Sequence, residues 1–331
     1  MKRLPSDAFR RRLSAQYDGI PLGFRSPPMI ALTGATGFIG SYLLRELVRE
    51  GHAVRVLLRR PALLSADCAN AVIGDLDRPI NMAVALARVD TIIHSAGLSS
   101  QMTGTPEADF RRLNADATGN LARAAERDGV RRLIFLSSVR AQADVSTSYV
   151  VTEDVTPAPT DAYGRSKLLA EQQLARADLD WVALRLPLVF GAGVKGNMAS
   201  LLKLAGSPLP LPFGALRAQR SLLSLENLLS ALILLIQSEE ALRRPLIVAD
   251  PTPLSIPEMI GAMRTAIGRR PAVFPFPAAL LRTAFRLGGR AELYRRLGEP
   301  LIADPRQLLQ MGWVPRMKTQ DALAALAQSN A

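Results

Sequence analysis

Apolar and polar residues follow two different patterns between residue 29 and about residue 190. Short apolar runs are separated by segments in which apolar residues recur every three or four positions, and these segments tend to end at a glycine, such as Gly51. The segments are typical of helices, and runs that are apolar on both faces are typical of strands in a covered parallel sheet. The pattern predicts an α/β fold with a doubly wound parallel sheet. The predicted strands are MIALTG, AVRVLLR, AVIGDL, VDTIIHSAG, VRRLIFLSS and DWVALRLPLVFG.

A glycine-rich loop joins the first predicted strand to the first predicted helix. The sequence TGATGFIG places Gly34, Gly37 and Gly40 in this loop. Glycine lets a backbone turn sharply and approach a pyrophosphate, and the first N–H groups of a helix attract the anion. Because the loop opens a βαβ unit, it predicts dinucleotide binding by a Rossmann-type sheet. The expected contacts from this loop are Gly34, Thr36, Gly37, Phe38 and Ile39.

The residues after the second predicted strand bear on which dinucleotide is bound. NAD favours a carboxylate there, which accepts a hydrogen bond from the ribose 2′-OH. The sequence reads LLRRP instead, and Arg59 and Arg60 suit a 2′-phosphate. We therefore favour NADP over NAD. The ends of the third and fourth strands should also border the cofactor. These further contacts are Asp75, Leu76, Ser95, Ala96 and Gly97.

The chain changes in character after about residue 190. LPLPFGALRAQR is rich in Pro and Gly and predicts a loop. A helix capped by Ser224 follows, then the strand PLIVAD and a helix that opens with SIPE. We therefore expect three parts. They are a basic extension over residues 1–28, an NAD(P)-binding Rossmann domain over residues 29–190, and a smaller α/β lobe over residues 191–331 that mainly binds substrate and partly returns to the sheet.

Composition narrows the class of protein. The single cysteine, Cys68, excludes a disulfide framework within the chain and is typical of a cytoplasmic protein. The longest apolar run, LLSALILLI, is too short to span a bilayer. There are 41 Lys and Arg residues against 29 Asp and Glu residues, a net charge of +12. The basic residues are scattered and few aromatics lie among them, so we expect no nucleic-acid partner. An anionic substrate, an anionic membrane surface or a plain preference for arginine would each explain the charge.

The stretch DAYGRSKLLAEQQL, residues 161–174, predicts a helix with Tyr163 and Lys167 one turn apart. Its leucines suffice to bury one face, so packing does not require the tyrosine and the lysine. A free phenol has a pKa near 10, and a neighbouring ammonium favours the phenolate. Tyr163 could then exchange a proton with an alcohol or a ketone. The alternative is a surface pair with little chemical meaning.

Taken in order, TGATGFIG, GDL, HSAG, FLSS, YGRSK and RLPLVFG resemble the extended short-chain dehydrogenases/reductases, within the NAD-dependent epimerase/dehydratase group. The likeness runs from residue 29 to about residue 230. The later segments look like the branch that acts on nucleotide sugars, which includes UDP-sugar 4-epimerases and 4-keto-sugar reductases of surface-polysaccharide synthesis. The resemblance implies a homodimer, formed through helices that flank the active site.

The resemblance implies a catalytic set of Ser138, Tyr163 and Lys167. Ser138 would hydrogen-bond the reacting oxygen, and Lys167 would also bind the nicotinamide ribose. Pro187 is implied as a further cofactor contact. Asn114 falls where the family carries an Asn on the preceding helix, either as a proton relay or as a structural filler of a helix kink.

For the substrate, the resemblance implies a nucleotide-diphosphate sugar, with UDP as the favoured nucleotide. Its contacts would include Ser138 at the sugar. Arg220 aligns with the family arginine that meets the diphosphate, and Asn197 begins a helix that approaches the same phosphates. The alternatives are a surface arginine capping a loop and an asparagine N-cap. No metal is expected.

Residues that other enzymes of this group carry and this sequence lacks narrow the range of possible reactions. Dehydratases of this group carry an Asp–Glu pair directly after the catalytic Ser or Thr, whereas Ser138 is followed by Val139 and Arg140. Epimerases at C3 or C5 need further acid/base residues, often Cys or His. What is left is C4 epimerisation through a transient ketone, or net reduction of a 4-keto sugar. A dihydroflavonol-reductase-like NADPH ketone reductase and a non-catalytic NAD(P)-binding protein are the alternatives.

The basic segment PAALLRTAFRLGGRAELYRRLG, residues 277–298, admits two interpretations. It could lie amphipathically on an anionic membrane surface. It could instead form the ordinary C-terminal helices of the substrate lobe. We favour the second and expect at most peripheral contact with a membrane.

Overall fold

The computed structural model describes residues 28–99 and 104–330. Apart from Pro28, the predicted N-terminal extension lies outside the described residues. The strands are β1 (Met29–Thr33), β2 (Val54–Leu58), β3 (Ala69–Val72), β4 (Val89–His94), β5 (Arg132–Ser138), β6 (Val150–Val151), β7 (Asp180–Leu186), β8 (Leu188–Phe190), β9 (Gln219–Arg220), β10 (Leu222–Ser224), β11 (Arg244–Ile247), β12 (Leu254–Ser255) and β13 (Ile302–Ala303). The α-helices are α1 (Phe38–Arg49), α2 (Met82–Leu86), α3 (Glu107–Phe110), α4 (Ala117–Arg127), α5 (Ala162–Leu174), α6 (Gly196–Gly206), α7 (Leu225–Gln237), α8 (Ile256–Ala266), α9 (Ala278–Leu287), α10 (Ala291–Gly298), α11 (Arg306–Gln310) and α12 (Thr319–Gln328).

Seven parallel strands make the central sheet, in the order β11-β7-β5-β4-β1-β2-β3. The order reverses at β1, because β2 and β3 lie on one side of it and the later strands on the other. This confirms the predicted doubly wound sheet, in which ligands bind beyond the carboxyl ends of the strands at the reversal. The register brings these ends level, since Thr33 pairs with His94 and Ser138 pairs with Leu186.

Helices cover both faces of the sheet, and each layer has its own apolar cluster. α1 and α7 lie on one face, where Leu43 and Leu232 are fully buried. α4 and α5 lie on the other face, where Leu121 and Leu174 are fully buried. Successive strand residues point to opposite faces, so strands between two covered faces are apolar throughout. That is why the strand sequences are continuous apolar runs.

The sixth predicted strand is two strands in the structure. β7 ends at Leu186 and β8 begins at Leu188, on the far side of Pro187. Because Pro187 has no N–H for the ladder, the chain leaves the sheet there and β8 pairs with β10. The third strand is also displaced from its predicted position. β3 ends at Val72, before a turn in which Gly74 has a φ of +70°.

The predicted helix FRRLNADATGNLARAAERDG is irregular. α3 runs into a π-helical segment, Arg111–Asp116, which in turn runs into α4. π segments insert an extra residue into the helical ladder and are frequent at functional sites. This one contains Asn114, whose side chain bonds to the loop after β4.

The C-terminal lobe has a third apolar cluster, which includes Phe190 and Met263. Two predicted helix starts are confirmed, since Ser224 caps α7 and Ser255 opens α8 with a capping box. β11 pairs with β7, so part of the late chain joins the central sheet.

The segment 277–298 is two helices rather than one. α9 and α10 are separated at Gly288 and Gly289, and Gly289 has a φ of +68°. Leu281 and Tyr294 are buried in the apolar cluster of the C-terminal lobe, so both helices are part of that lobe. Among the described residues, no helix is long and apolar enough to cross a bilayer.

Candidate active site

The glycine loop is packed too tightly for side chains. Gly34 has a φ of +73°, and a Cβ there would lie 2.7 Å from the Ala96 nitrogen. A Cβ on Gly40 would lie 2.2 Å from the Gly34 oxygen. The turn is closed by the Gly37 N–H, which donates to the Gly34 carbonyl at 2.9 Å. The loop therefore lies against the exit of β4, with the unpaired N–H groups of the first turn of α1 beginning at Phe38.

A cavity of about 230 Å³ opens beside this loop. Thr36 and Phe38 line one side, and Gly193 and Lys195 line the other. Lys195 is the N-cap residue of α6, and among the described residues it makes no ion pair. Helix N–H groups and an ammonium together suit a phosphate group. Lys195 was not singled out from the sequence, because nothing local places it beside the glycine loop.

The second-strand arginines differ in their surroundings. Arg59 Nη1 lies 3.5 Å from Asp75 Oδ1, and both side chains are more than half exposed. Arg59 and Asp75, both predicted to contact the cofactor, are therefore neighbours beyond the ends of β2 and β3. Arg60 is exposed and makes no ion pair within the described part of the chain. Leu76, beside Asp75, has its carbonyl bonded to the Asn120 side chain at 3.3 Å.

Asn114 connects the loop after β4 to α5. Its Oδ1 accepts a hydrogen bond from the Leu98 N–H at 2.7 Å, and its Nδ2 donates to Ser166 Oγ at 2.9 Å. A Cβ on Gly97 would lie 2.7 Å from Asn114 Oδ1 and 3.8 Å from Lys167 Nζ. Asn114 thus sits between the expected cofactor loop and the expected catalytic helix, in the manner of a structural bridge.

His94 holds the carboxyl ends of the strands together. Its Nδ1 lies 2.7 Å from Thr33 Oγ1, and its Nε2 lies 3.0 Å from Thr118 Oγ1. Burial lowers the pKa of His94 to about 3, so the ring is neutral. Thr33 Oγ1 also accepts the Ala96 N–H at 3.2 Å, which ties the loop after β4 to β1. We assign His94 no role in the chemistry.

The structure brings Tyr163 to Ser138. Asp161 caps α5 by accepting the Gly164 N–H at 2.7 Å. The start of α5 packs so closely on the turn after β5 that a Cβ on Gly164 would lie 2.3 Å from the Arg140 oxygen. In this position Tyr163 lies close enough to Ser138 for the serine hydroxyl to lower the pKa of the phenol. The two expected catalytic hydroxyls therefore meet at the carboxyl edge of the sheet.

Lys167 lies one turn further along α5 and is buried. Its Nζ donates to the Leu136 carbonyl at 2.9 Å and lies 4.5 Å from the centre of the Phe135 ring. Its distance to the centre of the Tyr163 ring is 6.0 Å. Burial lowers the pKa of Lys167 to about 8, and the charge of Glu171 opposes this change.

The electrostatics at Tyr163 differ from the prediction. From the sequence we expect Lys167 to favour the phenolate, but burial raises the pKa of Tyr163 above 10. The nearby hydroxyl of Ser138 and the positive charge of Arg140 offset part of that rise in the pKa of Tyr163, while the charge of Asp161 adds to it. The reason is positional: the Lys167 ammonium is directed at a backbone carbonyl, whereas Arg140 follows Ser138 by two residues. Arg140 therefore joins the site as a residue that the sequence pattern did not indicate.

A buried ion pair fixes the far end of α5. Arg185 on β7 lies 2.7 Å from Glu171, and both side chains are about 5% exposed. Ser137 Oγ donates to Glu171 at 2.6 Å, and Arg185 also donates to Gln142 at 2.8 Å. Glu171 follows Lys167 by one turn, so this network holds the face of α5 that carries Tyr163 against the sheet. Breaking one partner of such a pair costs about 3–5 kcal/mol.

Three arginines from distant parts of the chain lie close to one another. Arg220 donates to the carbonyls of Glu299 and Val145 at 2.6 and 2.9 Å. Burial, together with the charges of Arg296 and Arg140, lowers the pKa of Arg220 to about 10, so it is protonated at neutral pH. Within the described residues no carboxylate lies at ion-pair distance from Arg220. A half-buried cation without a carboxylate partner is suited to an anionic ligand.

Arg140 is the inner member of this cluster. Its Nη2 lies 2.8 Å from Asp161 Oδ2, and its Nε is buried without a hydrogen-bond partner among the described residues. Arg296 is the outer member and pairs with Glu292 at 3.3 Å. No local pattern predicts either arginine, because their proximity to Arg220 depends on the packing of three separate segments.

The structure excludes one of the two interpretations of Asn197, that of a helix N-cap. Asn197 is exposed and occupies the second position of α6, while Lys195 is the N-cap residue. Asn197 is therefore not a helix cap. Pro187, expected at the cofactor, directly follows Leu186, whose carbonyl accepts from Ser138 Oγ at 3.4 Å.

A doubly wound parallel sheet with a glycine loop and a Ser–Tyr–Lys set at its carboxyl edge defines a short-chain dehydrogenase/reductase. Comparison with known proteins narrows this class. The profile of the NAD dependent epimerase/dehydratase family matches residues 30–248. The chain belongs to this family.

The chain is similar to relatives of two kinds over most of its length. A UDP-glucose 4-epimerase of Vibrio cholerae is 30% identical over 317 residues, which cover 92% of this chain and 96% of that protein. A 3 beta-hydroxysteroid dehydrogenase/Delta 5-->4-isomerase of Mycobacterium tuberculosis is 28% identical over 331 residues, which cover 89% of this chain and 88% of that protein. Among solved structures, MoeE5 in complex with UDP-glucuronic acid and NAD has a TM-score of 0.70 and 26% identity, and the match covers 91% of this chain and 98% of that chain.

Proposed function

We propose that this protein acts at C4 of a nucleotide-diphosphate sugar, by NAD(P)-dependent hydride transfer assisted by Tyr163, Lys167 and Ser138. The observation that carries the proposal is the contact between Tyr163 and Ser138, made at the same sheet edge as the glycine loop. The resemblance over nearly the full length of a UDP-glucose 4-epimerase supports the substrate class. Arg220 has no carboxylate at ion-pair distance among the described residues, and this supports an anionic group on the substrate.

Each catalytic side chain has a defined task in this proposal. Ser138 hydrogen-bonds the C4 oxygen, and Tyr163 takes the proton from that hydroxyl and later returns it. The nicotinamide cofactor, when bound, supplies the acceptor and donor of the hydride. Lys167, held by the Leu136 carbonyl, would bind the ribose next to the nicotinamide. Burial raises the pKa of Tyr163. Tyr163 therefore needs a positive charge nearby to act as a base near neutral pH.

The cofactor site would be built from the glycine loop and the strand ends. Its backbone donors are those at the start of α1, and the loop after β4 would pass beneath the cofactor. Arg59 and Arg60 support NADP, while the ion pair of Arg59 with Asp75 reduces the positive charge that faces a 2′-phosphate. The residues proposed for cofactor contact are Gly34, Thr36, Gly37, Phe38, Ile39, Arg59, Arg60, Asp75, Leu76, Ser95, Ala96, Gly97, Asn114, Tyr163, Lys167 and Pro187.

The substrate site would lie between the sheet edge and the C-terminal lobe. Arg220 would bind the diphosphate, with Arg296 adding to the positive field, and Asn197 would reach the same phosphates from α6. In this scheme residues 29–190 hold the cofactor and residues 191–331 hold most of the substrate. A homodimer would form through the helices that flank the active site.

Two reaction types fit this chemistry. An epimerase presents both faces of a transient ketone to a cofactor that stays bound, and a reductase exchanges its cofactor in every cycle. The likeness to a UDP-glucose 4-epimerase supports the first. The arginines after β2 support the second, as they also do for an NADPH ketone reductase of another substrate class.

The decisive test is turnover of UDP-glucose, UDP-galactose and their 4-keto analogues by the purified protein, with NAD and with NADPH. Tyr163→Phe should lower kcat by about a thousandfold while cofactor affinity is retained. Tyr149→Phe is the matched control, because Tyr149 is 47% exposed and should have no effect. Full activity of the Tyr163 variant, or no turnover of any of these sugars by the wild type, would overturn the proposal.

The cofactor released on denaturation separates the two reaction types. Stoichiometric NAD retained through purification would identify a cofactor that is regenerated in place, as in an epimerase. An empty protein that prefers NADPH would identify a reductase.

A further inference from the structure

One strongly basic segment has no task in the proposed reaction. Residues 259–291 contain six arginines and no acidic residue. Arg264 is buried, but the other five are exposed. These five make no ion pair and no side-chain hydrogen bond with any described residue. We call them the arginine patch: Arg269, Arg270, Arg282, Arg286 and Arg290.

The buried arginine gives this surface a firm base. Arg264 Nη2 donates to the Leu209 carbonyl at 2.7 Å, and its Nη1 donates to the Pro271 carbonyl at 2.8 Å. It thereby adds to the backbone hydrogen bonds that already join these two loops, in which the Leu211 N–H donates to the Ala272 carbonyl at 2.9 Å and the Phe274 N–H donates to the Leu211 carbonyl at 3.0 Å. Each loop exposes one large apolar side chain, since Leu209 is 65% exposed and Phe274 is 41% exposed.

α9 carries apolar side chains on two opposite faces. Leu281 is buried toward the lobe, and the ring of Phe285, four residues on, lies 6.0 Å from that of Tyr294. Leu280 and Leu287 are seven positions apart and so share the outward face. They are 56% and 84% exposed.

The remaining flank of α9 is basic. Arg282 and Arg286 are four positions apart and therefore lie together, beside the outward leucines. An exposed apolar stripe next to unpaired arginines is the pattern of a helix that lies in a lipid headgroup region. Ordinary surface helices place charged residues opposite their buried face, as α9 does not.

We propose that the arginine patch and the outward leucines of α9 dock the C-terminal lobe on an anionic lipid bilayer. Charge complementarity selects this occupant, because the unpaired guanidinium groups would face the phosphate groups of acidic lipids. Leu280 and Leu287 would enter the interfacial layer, which has no counterpart on a nucleic-acid backbone. Contact of this kind is peripheral and reversible.

The test is flotation of the full chain with vesicles of phosphatidylcholine alone and of phosphatidylcholine with phosphatidylglycerol, at low and at physiological salt. We expect binding to the anionic vesicles only. Arg282→Glu with Arg286→Glu should weaken this binding by at least about thirtyfold, from the usual contribution of each basic residue near an anionic surface. Leu280→Ser with Leu287→Ser should weaken it by about tenfold, because the apolar anchorage is lost.

The matched control reverses the same charge elsewhere. Arg127 and Arg176 are exposed on the Rossmann domain and make no ion pair with a described residue. Arg127→Glu with Arg176→Glu should leave vesicle binding within about twofold if the patch is the docking site. All variants should keep the wild-type unfolding temperature and the turnover without vesicles, since every changed side chain is exposed.

Four results would overturn the proposal. The wild type could stay in the soluble fraction with anionic vesicles at low salt. The control variant could lose as much binding as the patch variant, which would make the effect one of total charge. The leucine variant could bind as the wild type does, which would leave only attraction to any polyanion, nucleic acid included. The leucine variant could convert a dimer to a monomer in sedimentation, which would assign the face to a second copy of the chain.

Discussion

The two halves of the candidate site are built in different ways. The cofactor half consists mainly of backbone that is continuous in sequence, from Gly34 to Ile39, with the loop after β4 packed against it. The proposed substrate half consists of side chains, and Arg140, Arg220 and Arg296 come from three segments that only the fold brings together. A site made of backbone can be found in a short sequence pattern. A site made of distant charges cannot.

The largest effect is expected from Gly40→Ala, which attacks the cofactor half. A Cβ at this position would lie 2.2 Å from the Gly34 oxygen, so the loop must move away from its closed turn. We expect cofactor affinity to fall by at least about a hundredfold, the equivalent of about 3 kcal/mol of overpacking. Titration with NADH and NADPH measures it. Gly206→Ala is the control, because a Cβ there meets nothing within 4 Å, and unchanged binding by both variants would contradict the tight-loop account.

Arg220→Met tests the substrate half. Loss of a charge-assisted contact with a diphosphate should raise KM for the nucleotide sugar by about thirtyfold, with the cofactor Kd unchanged. Initial-rate kinetics and a separate cofactor titration give the two numbers. Arg217→Met, at an exposed arginine of the loop just before β9, should leave both constants unchanged. A change of both constants together would show that the cofactor half and the substrate half of the site are not independent.

Variants that alter the arginines after β2 should have smaller effects on cofactor preference, and the direction of the effect depends on the variant. Arg60→Ala should reduce the preference for NADPH over NADH by about tenfold, because one contact with the 2′-phosphate is lost. Asp75→Asn should increase that preference, because it releases Arg59 from the ion pair at 3.5 Å. The ratio of kcat/KM for the two cofactors measures both. If this ratio were unchanged in both variants, the proposed preference for NADP would be contradicted.

The smallest effect concerns the pH profile. The charge of Arg140 lowers the pKa of Tyr163, and that of Asp161 raises it. A base acts when deprotonated, so Arg140→Gln should move the acidic limb of the kcat profile for alcohol oxidation to higher pH. Asp161→Asn should move the same limb to lower pH. We expect shifts of about one pH unit or less for partly exposed charges.

The two directions separate charge from packing. Both variants abolish the ion pair of Arg140 with Asp161 at 2.8 Å, and an asparagine can keep the cap that Asp161 provides to α5. Shifts of the same sign would therefore show that Tyr163 responds to the helix position. Shifts of opposite sign would show that it responds to the nearby charges.

Several elements of the fold follow from local patterns because the forces that make them are local. Apolar runs predicted the central strands, and Ser224 and Ser255 predicted helix starts that the structure confirms. Pro187 carried a readable signal as well, since a residue without an N–H cannot continue a ladder. The π-helical segment around Asn114 carried none, because it depends on bonds to Leu98 and Ser166 from other elements.

The sequence alone determined the family, the doubly wound sheet and the glycine loop, because each rests on residues that are neighbours or share a helical turn. Only the tertiary structure decided the electrostatics. It directed Lys167 at the Leu136 carbonyl, set Arg140 beside Tyr163, and left Arg220 half-buried without a carboxylate partner among the described residues. The physical reason is that charge acts through space and burial, and neither distance nor burial can be read along the chain until it has folded.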